Sequence, residues 1–107
     1  MKTKIFVTAQ FESIHCWPAA VEEVSFLQYP HRHMFHVRVE WEVDHDDRAR
    51  EFLMEKRRVV DAAKDLEKED KVLNWSCEMW AKALLNRLNA NSVEVSEDGE
   101  NGAVVTR

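Results

Sequence analysis

Between Pro30 and Val43 the chain reads P-H-R-H-M-F-H-V-R-V-E-W-E-V, and from His33 onward it alternates without a break. His33, Phe35, Val37, Val39, Trp41 and Val43 share one parity, while Met34, His36, Arg38, Glu40 and Glu42 share the other. A period of two held over this length describes a strand with one buried and one wet face. Carried backwards, the apolar parity reaches His31. Imidazoles at i and i+2 of a strand project to the same side, close enough to share one metal ion.

A second alternating run, Lys4 to Ile14, places Ile5, Val7, Ala9 and Phe11 on one parity that continues through Ser13 to His15. If the two strands pair antiparallel, the end of the first meets the start of the second. His15, His31 and His33 then converge. The pattern is H-x15-H-x-H with every member in the apolar phase. Three neutral imidazoles are a common donor set for a zinc ion that keeps one position open. A single histidine on an apolar face is more often a satisfied core residue, but three in phase at one end of a hairpin favour a metal site. His36 has the opposite parity and His45 lies in a polar turn, so both are expected in solvent.

The remainder supplies two helices and a second hairpin. Cys16 to Tyr29 reads as a loop with a Trp-Pro step and an acidic segment, and Asp44 to Asp47 as a turn. Residues 51–54 suit either the end of a strand or the start of a helix. Val59, Val60, Ala63 and Leu66 recur at helical spacing between Glu55 and about Lys68, and the charged stretch Glu67 to Lys71 ends that helix. Ser76 has the character of an N-cap, followed by a stripe of Cys77, Trp80, Ala81, Leu84, Leu85 and Leu88. Ser92 to Glu97 predicts a short strand, 98–102 a turn, and Ala103 to Thr106 a closing strand. The order ββααββ is an α+β fold, with helices on one face of a four-stranded antiparallel sheet. The buried-phase Glu97 is the second unusual residue, since a carboxylate ending an apolar strand face needs a partner. Adjacent ring N–H and amino donors of a ligand would supply one; entry into a water-exposed turn is the plainer alternative.

At 107 residues the chain is expected to be a single domain, 1–107. A net charge of −5 with interspersed signs disfavours nucleic-acid binding. Its apolar runs are too short for a membrane span, and the N-terminus lacks the shape of a signal peptide. Two cysteines, Cys16 and Cys77, make no disulfide framework, and a cytoplasmic location is the default expectation. Both thiols are expected to be structural.

Together the motifs resemble the tunnelling-fold family of 6-pyruvoyl-tetrahydropterin synthase and 6-carboxytetrahydropterin synthase. Phe11-Glu12-Ser13-Ile14-His15 stands where that family has F-x-A-x-H, and His31-Arg32-His33 corresponds to its H-G-H. Trp75-Ser76-Cys77-Glu78-Met79-Trp80-Ala81 is similar to its helix-start motif P-T-x-E-N-x-A. Val93-Glu94-Val95-Ser96-Glu97 is similar to its V-x-V-x-E strand. The resemblance implies zinc on His15, His31 and His33, with Glu97 holding the edge of a pterin or purine-like ring. It implies a synthase-like lyase activity and a homo-oligomer, a trimer or a hexamer of stacked trimers. Two departures stand out. Ser25 to Tyr29 contains no thiol where the family carries its catalytic cysteine, and Glu69 and Asp70 occupy the place of its Asp-His pair. Glu69, Asp70, Tyr29 and His45 are therefore the candidate proton carriers. A non-catalytic zinc protein that binds such a ring is the alternative function, and a metal-free structural oligomer a third.

Overall fold

The computed structural model describes residues 1–107. Both long alternating runs form strands, β1 over Thr3–His15 and β2 over His31–Val43. They pair antiparallel in a register that sets His15 opposite His31 and Ser13 opposite His33. The second hairpin, β3 (Ser92–Glu97) and β4 (Asn101–Thr106), joins β2 through β3, giving one sheet in the order β1-β2-β3-β4. The sequence therefore gives the layout expected of it: an open antiparallel four-stranded sheet with two helices, in the order ββααββ.

The apolar parity turns toward the helices. Phe35, Val39, Trp41, Val93 and Val95 are fully buried, in one core with Trp80, Leu84 and Leu88 of helix α2 (Cys77–Leu88) and Val59 and Leu66 of helix α1 (Phe52–Glu67). The Trp41 indole N–H donates to the carbonyl of Leu88 at 3.1 Å, which fixes the end of α2 on the sheet. Ser76 caps α2 as its residue type predicts, accepting the N–H of Met79 at 3.2 Å. Asn89 ends the helix in the left-handed conformation.

The first helix begins at Phe52, ahead of the expected Glu55. Glu51 caps it by accepting the Met54 N–H at 2.7 Å. Phe52, Leu53 and Met54 are all exposed, so the first turn carries no inward periodicity to mark it. Two short 3-10 segments lie where the sequence suggested loop and charged connection, over Glu22–Gln28 and Asp70–Asn74. The second is tied to the end of β1, where the Cys16 N–H donates to the Leu73 carbonyl at 2.8 Å. No helix is long and apolar enough to cross a membrane.

Candidate metal centre

Antiparallel pairing brings three strand ends to one place: the last residue of β1, the first residues of β2 and the last residue of β3. The imidazoles of His15, His31 and His33 meet there edge to edge. Their centroids are 4.5 Å apart for His15 and His31, 5.1 Å for His15 and His33, and 5.0 Å for His31 and His33. With Glu97 they form a group whose donor atoms all lie within 4.8 Å of one another. This cluster can hold a metal ion.

Each ring is fixed from behind. Nδ1 of His15 lies 3.1 Å from the carbonyl of Trp75, Nδ1 of His31 lies 2.8 Å from the carbonyl of Tyr29, and Nδ1 of His33 lies 2.7 Å from Oδ2 of Asp98. Carbonyl and carboxylate oxygens only accept, so the proton of each neutral ring sits on Nδ1. Every Nε2 is then left with a lone pair. This is how metal-binding histidines are held in other proteins, with the far nitrogen donating to a carbonyl or carboxylate.

Glu97 stands among these lone pairs. Its Oε2 lies 2.9 Å from Nε2 of His15 and 3.2 Å from Nε2 of His33. The first distance is of hydrogen-bond length. Yet Nε2 of His15 is buried and makes no hydrogen bond, since the Glu97 oxygen stands at bonding distance but out of line with the ring N–H direction. A cation between them satisfies both. Donors placed 2.0–2.2 Å from a tetrahedral ion lie roughly 3.3–3.6 Å apart, so the His33–Glu97 edge at 3.2 Å is close to ligand spacing and the His15–Glu97 edge at 2.9 Å is somewhat shorter. The donor set thus fits a metal. Glu97, which the family resemblance assigned to the edge of a ring, belongs spatially to the metal-facing group.

The cluster forms the floor of a cavity of about 500 Å³. Its walls include Trp17 and Leu27 from the loop after β1, and Asn74, Trp75 and Met79 beside the start of α2. Cys16 and Cys77 also face it, a position their strand and helix phases did not reveal. Cys16 donates its thiol to Oδ1 of Asn74. Burial pushes the Cys77 thiol up to about 12, helped by the carboxylates of Glu97 and Glu78, so it is a protonated apolar wall at neutral pH. Asp98 moves the other way. The hydrogen bond from His33, joined by one from the Met34 N–H, holds its carboxyl below the usual aspartate range.

The proposed proton carriers lie elsewhere. Glu69 and Asp70 face a separate depression shared with Glu12, Ile14 and Leu73. The charged start of the connection from α1 lies beside the end of β1, and only its far end, Asn74 and Trp75, lines the cavity. His45 borders another depression beside Asp46 and Arg48 and accepts the Asp47 N–H at 3.2 Å. The Tyr29 side chain is exposed; its contribution to the centre is the backbone carbonyl behind His31. Sequence reasoning missed the partners of the rings, because two of the three are backbone carbonyls, which carry no residue-type signal. The third, Asp98, is 65 residues from His33 and reads locally as a turn residue. Compared with models of known protein families and with curated protein sequences, the chain matches none.

Proposed function

We propose that the chain is a zinc-dependent enzyme similar to 6-pyruvoyl- and 6-carboxy-tetrahydropterin synthases, acting on a pterin or purine-like ring compound in the cavity above His15, His31 and His33. The observation that carries this reading is the convergence of three imidazole lone pairs, each fixed from behind, on the floor of a cavity of small-molecule size. Three nitrogen donors suit zinc, and the ion when bound would act as a Lewis acid on a substrate oxygen. Trp17 and Trp75 offer flat apolar surface to a planar ring, and Met79 an adaptable apolar one. Glu97 has two competing uses, closing the donor set and accepting N–H groups from the ring. A ring compound that draws it away opens the fourth position.

A second reading is favoured by the placement of Glu69 and Asp70 outside the cavity and by the protonated state of Cys77. Glu69 and Asp70, which occupy the sequence place of the family's proton-transfer pair, stand away from the cluster, which suits a zinc protein that binds the ring without converting it. Metal analysis of untagged protein tests the shared premise, with one zinc per chain expected. Incubation with dihydroneopterin triphosphate then separates the readings: loss of substrate supports the enzyme, and tight binding with substrate unchanged supports the binder.

The open edges of β1 and β4 suit assembly into a homotrimer or hexamer, since unpaired strand edges favour a partner. The two free, buried thiols suit a reducing compartment such as the cytoplasm.

A further inference from the structure

The three imidazoles are held alike in geometry and unlike in charge. His15 and His31 donate to neutral backbone carbonyls, at 3.1 and 2.8 Å. His33 donates to a carboxylate, Oδ2 of Asp98, over a shorter 2.7 Å. Glu97 lies 3.2 Å from its other nitrogen, so two consecutive acidic residues bracket one ring.

We propose that Asp98 is a positioning residue of the metal centre, which locks His33 in the tautomer with Nε2 unprotonated and makes it the most strongly donating of the three ligands. This rests on the reading that His15, His31 and His33 bind a metal. The carboxylate is itself tightly placed. The Asp98 N–H donates to the Met34 carbonyl at 2.7 Å, and Oδ1 accepts the Met34 N–H at 3.0 Å. It is therefore anchored to the residue next to His33. A charged acceptor on the far nitrogen raises the basicity of a ligating imidazole, and losing such a partner typically weakens metal binding 10–100-fold.

The competing explanation is that Asp98 serves only the hairpin turn. It has φ 56° and is followed by Gly99 at φ 75°, an Asp-Gly pair of the kind that tight hairpin turns select. The turn, however, has no use for Oδ2 against His33. Asparagine tolerates the left-handed conformation as well as aspartate does, and its amide oxygen can still accept from Met34. Asp98→Asn thus keeps the turn and removes the charge behind the ring. Glu100→Gln removes a charge from the same turn at an exposed side chain with no contact to the cluster.

The test is zinc affinity of the untagged full chain, measured by competition with a chromophoric chelator, for wild type and both variants. Long-range proton–nitrogen spectra of the metal-free proteins report each imidazole tautomer. Asp98→Asn is expected to bind zinc 10–100-fold more weakly and to show mixed tautomers at His33 alone, with Glu100→Gln unchanged in both respects. Equal affinity in wild type and Asp98→Asn, or an equal loss in Glu100→Gln, overturns the assignment while leaving the three-histidine site intact. A wild-type chain without zinc affinity overturns both.

Discussion

Replacing His31 with alanine removes a half-buried ring whose one hydrogen bond inside the chain reaches the neighbouring Tyr29 carbonyl. The burial that holds β2 belongs to Phe35, Val37, Val39 and Trp41, none more than 2% exposed. His31→Ala should therefore abolish stoichiometric zinc yet change metal-free stability by less than about 1 kcal/mol. Elemental analysis and urea unfolding check the two halves, and a variant that keeps its zinc refutes the ligand assignment. His15 is different in kind. It is buried, and truncation leaves the Trp75 carbonyl without its donor, a loss of roughly 1–3 kcal/mol in addition to the metal. Glu97→Gln keeps one acceptor where ring binding calls on two, so ring affinity should fall by at most about 3 kcal/mol while the histidines retain zinc. Calorimetric titration with a pterin decides this, and unchanged affinity leaves Glu97 to the metal alone. These residues were legible because strand parity fixes direction: three side chains in one phase must share a face. What stood behind them was not legible, since a carbonyl looks the same on every residue.

The elements divide in the same way. The bounds of β3 were readable because Val93 and Val95 alternate with polar neighbours, and α2 because a serine cap precedes an unbroken stripe. The start of β4 was not, since Asn101 and Gly102 are turn-forming types that nonetheless pair with Glu97 and Ser96. Gly102 is there for a reason of space. A Cβ at that position would lie 2.1 Å from the Val95 carbonyl oxygen and 2.6 Å from Cα of Ser96, both backbone atoms that cannot rotate away. Gly99 has open space by comparison, its nearest contact 3.7 Å away in the His36 ring, but a positive φ. Gly102→Ala should accordingly cost about 3 kcal/mol or more, and Gly99→Ala about 1–2 kcal/mol. Because this hairpin carries both Glu97 and Asp98, Gly102→Ala should also weaken zinc binding. Thermal unfolding and chelator competition on the two variants check the ranking, and a milder effect at Gly102 contradicts the spacing argument.

Over the whole molecule, the cluster joins the ends of β1, β2 and β3 at the one place where the sheet and the start of α2 part to form the cavity. An ion bound there stabilises the folded chain against an unfolded one in which the ligands are scattered. At a free zinc concentration one hundred times Kd the gain is about 2.7 kcal/mol, or roughly 10 °C in Tm for a domain of this size. Acid should lower stability in two separable steps. Imidazole must be unprotonated to bind, so the zinc-dependent increment shrinks first, as protons compete for the ring nitrogens. Asp98 accounts for the second. Its folded carboxyl lies below the ordinary 3.8, held there by the His33 hydrogen bond, so its contribution is complete at neutral pH and is lost only as pH falls through that lowered value. Tm measured against pH with and without zinc should give two curves that merge on acidification, and the shared curve should then fall less steeply below 3.8 in Asp98→Asn than in wild type. Glu12, its carboxyl lowered by Arg32, supplies an acid loss common to both. Curves that never separate remove the metal, and a bend unchanged by the substitution assigns the acid sensitivity to Glu12 or another carboxylate.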